Sequence, residues 1–373
     1  MTHSPLHDLA VEGQSVWIDY LSRHLVRCGE LERLVAEDAV VGVTSNPTIF
    51  QKAISAEHDY DEQLRRELAE TEDPHEAFLR LAERDIRGAC DVLRPVFDRG
   101  GTPHGGESTA NRDGFVSLEV DPALAYDTHA TVEAAAKLRS RIDSANLLIK
   151  IPATPPGLPA IEELTARGMS INVTLIFSLQ RYADVVEAYL RGLEQLVAAG
   201  GDPSTVSSVA SFFVSRVDTE ADRRLDELGG HDGLKGKLAV ANAKLAYRCY
   251  RQLFSGPRWQ ELADRGATTQ RCLWASTSTK DRAYSDVKYV EELIGPDTVN
   301  TMPENTLRAF REHGRVRRTL DLGVDEAQRV LERFAKAGVD YDDVTQTLER
   351  EGVRGFEKSF DELLAGIEER NAA

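Results

Sequence analysis

The sequence predicts an α/β fold: eight parallel strands alternating with helices, closed into a (β/α)8 barrel of the TIM type, with additional C-terminal helices. Three observations carry this. Short apolar runs rich in Val, Ile and Leu alternate with long amphipathic stretches, the pattern of successive βα units. The runs lack clean polar alternation, as expected of parallel strands buried on both faces. Eight such runs can be marked along the chain, and eight strands close a barrel whose interior side chains fill it.

The predicted strands are, in order, Ser15–Asp19, Val41–Ser45, Phe115–Val120, Leu147–Ile151, Ile171–Phe177, Ser207–Val214, Arg271–Ser276 and Thr298–Met302. Helical periodicity marks DEQLRRELAE (61–70), His75–Phe97, EAAAKLRSRI (133–142), the run 180–199 and Leu234–Phe254. Thr131, Ala134 and Leu138 place one apolar stripe on a polar helix. From Thr319 the chain is helical and charged. It reads as separate helices over VDEAQRVLERFAKAG, YDDVTQTLEREG and FEKSFDELLAGIEER, packed on the barrel through 319–373. No linker precedes them, so the chain is expected to be one domain over 1–373. The Gly-, Ser- and Thr-rich stretch Arg99–Gly114 follows a helix and opens a strand. A phosphate-cradling loop would do the reverse, so 100–113 reads as a surface loop insertion.

With 373 residues, 41% hydrophobic and 29% charged, the composition is that of an ordinary globular protein. The 45 basic and 62 acidic side chains give a net charge of −17. That field repels nucleic acid and anionic membranes, yet a few cations in a cleft still suit a small anion. Cys28, Cys90, Cys249 and Cys272 stand at no metal or redox spacing and read as reduced thiols of a cytoplasmic protein. The opening MTHSPLHDLAVEGQS lacks a basic patch followed by an apolar stretch, and no apolar run approaches a membrane span. Nothing in the sequence fixes the oligomeric state; a homodimer is compatible with it.

Barrel enzymes place their chemistry at the C-terminal ends of the strands. Lys150 lies in LLIKIPAT between Ile149 and Ile151, where burying an unpaired ammonium is costly. An amine must be neutral to attack a carbonyl, and an apolar wall disfavours the ammonium form. The bland alternative is a strand-end lysine that snorkels to solvent or pairs with a carboxylate. Glu119 in FVSLEVDP and Asp19 in SVWIDY are further ionisable groups at strand ends, each equally readable as a cap or loop anchor. Asn172 and Thr174 stand two apart and share a strand face; Thr44 and Asn46 do so if the second strand persists that far. The Ser-Asn-Pro of that strand also has the chemistry of an ordinary turn or cap.

TSNPTIF, FVSLEVDP, LLIKIPAT, INVTLIFS and SFFVSR, in this order, resemble the transaldolase family from about Ser15 to Glu304. The resemblance implies a (β/α)8 barrel of the class I aldolase group that transfers a dihydroxyacetone unit between sugar phosphates. It implies that Lys150 forms the Schiff base and that Asp19 moves the hydroxyl proton of C–C cleavage. Glu119, with a water held by Thr174, would serve imine formation. Asn46 and Asn172 would bind hydroxyls of the three-carbon unit, with Thr44 beside them. Ser211, Phe213 and Arg216 match the strand-six serine, aromatic residue and phosphate-binding arginine. The chain departs from the family at strand seven: WASTSTK offers Ser276 and then Ser278 where many members carry a second arginine. Lys280 is the candidate replacement cation. The covalent electron sink would be the lysine imine, so neither metal nor cofactor is expected; the expected partners are small sugar phosphates. Three rivals remain: an aldolase that cleaves without transfer, a pyridoxal-phosphate barrel, and a silent sugar-phosphate-binding barrel.

Overall fold

The computed structural model describes residues 3–56, 58–100 and 112–372. Eight strands, β1 (Gln14–Ile18), β2 (Val40–Thr44), β3 (Phe115–Glu119), β4 (Leu147–Pro152), β5 (Ile171–Ile176), β6 (Ser208–Phe213), β7 (Arg271–Ala275) and β8 (Thr298–Met302), form a closed barrel in sequence order. Neighbouring strands are parallel throughout, and β1 pairs with β8 from Gln14–Thr298 to Ile18–Met302 to complete the ring. All residues of all eight strands are buried, which is why the runs show no alternation: one face fills the barrel and the other meets helices.

The predicted strands fall within a residue or two of the observed ones. Two helical expectations require correction. Leu234–Phe254 is not one helix: a 3-10 turn at Asp232–Leu234 precedes a helix over Leu238–Leu253. Gly236 adopts φ +68 between them. Its N–H donates to the Asp222 carboxylate and its carbonyl accepts from Lys288 Nζ at 2.6 Å, so these backbone groups are satisfied by side chains and leave the helical ladder. The last two predicted helices are instead one helix, Tyr341–Ala372. Gly352 does not break it. A Cβ there would lie 2.9 Å from Leu175 Cδ2, so the glycine allows the helix to lie against β5, and that packing overrides a propensity cost of about 1 kcal/mol.

Most of the expected insertion at 100–113 lies outside the described residues, but its last member does not. Asp113 is fully buried at the N-terminal end of the barrel. It pairs with Arg271 at 2.9 Å and accepts from Ser15 Oγ at 2.7 Å and Trp17 Nε1 at 3.1 Å. Trp17 fits inside the barrel because residue 42 is glycine: a Cβ there would sit 2.4 Å from the indole. This end is plugged, and the opposite end is where a cavity opens. Among the described residues no helix is long and apolar enough to cross a membrane.

Candidate active site

Lys150 sits inside β4, in register with Glu119 of β3 and Asn172 of β5. Its side chain is 4% exposed and that of Glu119 2%, and Nζ lies 3.3 Å from Glu119 Oε2. The alignment departs from a hydrogen-bond direction, and both carboxylate oxygens remain without a hydrogen-bond partner among the described residues. Nζ instead donates to the Ser45 carbonyl at 3.2 Å. Burial drives the Glu119 pKa above the ordinary carboxylate range; the Lys150 charge opposes this and Asp19 reinforces it. The Thr174 hydroxyl, across from Pro152 on β5, also lacks a partner among the described residues. Leu175 beside it has φ +59, at an irregularity in the β5–β6 ladder. Such bulges re-aim side chains near functional sites.

Asp19 stands one residue beyond β1, its N–H held by the Met302 carbonyl at 2.8 Å. Thr44 Oγ1 donates to its carboxylate at 2.7 Å and lies 2.7 Å from Thr301 Oγ1. Enclosure raises the Asp19 pKa above its ordinary value, while Lys150, the Thr44 bond, Arg216 and Lys280 pull it back. A carboxylate poised this way is a stronger base than a solvated one.

β2 ends at Thr44, so Asn46 does not share its strand. Asn46 caps the helix Pro47–Ala56 instead, its Oδ1 accepting from the Ile49 N–H at 3.0 Å. That cap leaves the amide nitrogen for another partner, and the residue still lines the cavity. Asn172 is fully buried and held on both sides, donating to Ser117 Oγ at 3.0 Å and accepting from Ser211 Oγ at 2.7 Å. One amide hydrogen remains beyond these bonds.

The cavity at the C-terminal ends of the strands has a volume of about 380 Å³. Asp19, Thr44, Asn46, Lys150, Ser211, Phe213, Arg216, Ser276 and Lys280 line it. Glu119, Thr174 and Asn172 do not reach its wall and lie behind it among the strands. Arg216 is the second residue of the helix Ser215–Leu228, its guanidinium carbon 5.2 Å from the centre of the Phe213 ring. Burial lowers its pKa against the opposing pull of Asp19 and Glu119. Ser276 takes φ +57 just past β7 and lies 2.9 Å, Oγ to Oγ, from Ser215. Lys280 Nζ donates to Ser278 Oγ at 2.9 Å. Its pKa is lowered by burial, by Arg216 and by Lys52.

Lys52, one helical turn beyond the TSNP motif, also lines the cavity. Sequence reasoning missed it, although a 3.6-residue period from Thr48 would have placed it on the same helix face. Thr301 and Phe356 were missed too, whereas Ser278, noted in WASTSTK at the place of the family's second arginine, does line the cavity. Arg216, Lys280 and Lys52 make no ion pair among the described residues. Three cations held around one cavity without carboxylate partners form a ready site for an anion such as phosphate.

Fold and site together define a class: a (β/α)8 barrel enzyme with a buried amine on its fourth strand, two enclosed carboxylates beside it and a cationic pocket in front. The family can be stated as well. The chain belongs to the transaldolase family, whose model, described as Transaldolase/Fructose-6-phosphate aldolase, matches residues 16–367. A transaldolase of Acidothermus cellulolyticus is 52% identical over 365 residues, covering 97% of this chain and 96% of that protein. A transaldolase of Saccharopolyspora erythraea is 50% identical over 370 residues, covering 99% and 98%. One of Frankia alni is 52% identical over 367 residues, covering 98% and 96%.

Proposed function

We propose that the chain acts as a transaldolase through a Schiff base on Lys150, moving a dihydroxyacetone unit from fructose 6-phosphate or sedoheptulose 7-phosphate to an aldose phosphate. The observation that carries this is the placement of Lys150: a buried amine 3.3 Å from a carboxylate, at the wall of a cavity that gathers three cations with no ion pair among the described residues.

The phosphate of the donor enters against Arg216, Lys280 and Lys52. Lys150 attacks the C2 carbonyl. Glu119, whose raised pKa suits it to hold a proton, works through a water with the Thr174 hydroxyl to turn the carbinolamine into a protonated imine. Asp19 then takes the C4 hydroxyl proton, the C3–C4 bond breaks, and its electron pair moves into the imine to give an enamine. An aldose phosphate leaves. Asn46 and Ser211, the latter fixed from behind by its bond to Asn172, hold the three-carbon unit by its hydroxyls until a second aldose phosphate binds and the steps reverse. The kinetics follow a ping-pong pattern. The imine is itself the electron sink, so these steps call on no metal or cofactor. We place the reaction in the pentose phosphate pathway of the cytoplasm, where the four free cysteines would stay reduced.

Borohydride added with fructose 6-phosphate should trap a three-carbon adduct on Lys150, read by mass mapping, and Lys150→Ala should lose both adduct and turnover. Full activity in that variant would sink the mechanism.

A further inference from the structure

The terminal helix Tyr341–Ala372 belongs to no βα unit, yet it runs across the catalytic face and is fastened along its length. Tyr341 accepts from the Leu179 N–H at 3.0 Å and donates to Asn242 Oδ1 at 2.6 Å. Glu349 pairs with Arg181 at 3.3 Å, and Ser359 Oγ lies 2.8 Å from Thr48 Oγ1. The Phe360 ring packs edge-on against Phe78 and His75. Between these fastenings stands Phe356, the one residue of this helix, among those described, that lines the cavity.

Phe356 is 4% exposed. Its ring centroid lies 5.7 Å from Lys150 Nζ and 5.9 Å from Arg216 Cζ. Other buried side chains of the helix, such as Leu348, Val353 and Leu363, continue an apolar stripe. Phe356 occupies the same stripe but faces two cations of the site. An apolar ring there covers both the amine that holds the three-carbon unit and the guanidinium that holds the phosphate.

We propose that Phe356 decides the fate of the enamine, favouring transfer over release by keeping water from it. This rests on the Schiff-base reading above. Once the first aldose phosphate has left, the enamine has two exits. Its C3 can attack the aldehyde carbon of the acceptor, forming the new C–C bond while the carbonyl oxygen takes a proton. Alternatively C3 takes a proton, water adds to C2 of the resulting imine, and the C–N bond breaks to release dihydroxyacetone and the Lys150 amine. Both exits end in hydrolysis of a C2 imine, but only release first needs a proton on C3, and an apolar ring whose centroid lies 5.7 Å from Nζ removes room for the water that would deliver it. The terminal helix would thus set the boundary between a transferase and a simple aldolase.

The test supplies fructose 6-phosphate and erythrose 4-phosphate and measures free dihydroxyacetone against sedoheptulose 7-phosphate, with borohydride trapping on the same preparations. Phe356→Ala should raise the ratio of released to transferred product by about tenfold or more, while still trapping an adduct on Lys150. Phe356→Leu, which keeps apolar volume, should stay near the parent ratio. An unchanged ratio in Phe356→Ala with a trapped adduct overturns the proposal alone. So does equal release by the Leu and Ala variants, since the effect would then not follow apolar volume. A parent enzyme that yields no adduct on Lys150 overturns the Schiff-base reading and this proposal with it.

Discussion

Asp19 and Glu119 are carboxylates that the fold encloses at a cost, and the direction of their pKa values shows it. Both are raised, by burial first. A carboxyl with a raised folded pKa binds its proton more tightly folded than unfolded. Its ionised form therefore opposes folding above that pKa, and the penalty is relieved as pH falls through it. Asp19→Asn keeps an oxygen to accept the Thr44 bond and removes the charge. Its denaturation midpoint at neutral pH should equal or exceed that of the parent, while turnover falls by about a hundredfold or more. A clear loss of stability would contradict this account. The acid limb of kcat/KM should lie above the ordinary aspartate value of 3.8, with activity lost as Asp19 takes up its proton. Lys280 is one of the cations that hold that pKa down, so Lys280→Ala should move the limb to higher pH and raise KM for phosphorylated substrates. A pH profile on both enzymes checks it. Much of this site was legible in the sequence, because a charged residue inside an apolar run conflicts with its surroundings unless chemistry requires it. Lys52 and Phe356 gave no such conflict. One lies on an amphipathic helix where lysine is unremarkable, and the other is an apolar residue in an apolar stripe. Their roles arise from contacts across long stretches of chain.

At the level of the element, the strands could be read because burial on both faces leaves an uninterrupted apolar run, and β8 falls at its expected bounds, Thr298–Met302. The helices were less legible where a glycine stands in the run. Gly236 stays outside the helix that follows it because its N–H and carbonyl find side-chain partners, whereas Gly352 stays within one because Leu175 packs against it. The residue type is the same and the neighbours decide. The terminal helix likewise owes its position to its fastenings. Tyr341→Phe would keep the ring and strand two buried or part-buried groups, the Leu179 N–H and the oxygen of the fully buried Asn242. The expected loss is about 1–3 kcal/mol, measured by urea unfolding. A neutral result would mean that the rest of the helix alone holds it in place.

The whole molecule is polar in function. At one end the strands open onto a cavity ringed by cations, although the chain carries a net charge of −17; local placement outweighs the global sum because screening confines surface charges to about 8–10 Å. At the other end Arg271, Asp113, Ser15 and Trp17 close the barrel with one buried ion pair and its hydrogen bonds. Barrels separate stability from catalysis in this way, which allows a direct test. Asp113→Ala leaves the Arg271 guanidinium buried without its counter-charge, and Ser15 and Trp17 lose an acceptor. Removing one partner of a buried pair costs about 3–5 kcal/mol, so the thermal midpoint should drop sharply. The carboxylate lies at the opposite end of the strands from Lys150. Borohydride trapping and KM, measured below the new midpoint, should therefore match the parent. If KM or trapping shifted with stability, the two ends would be coupled through the strands, and the division between a structural floor and a catalytic face would not hold.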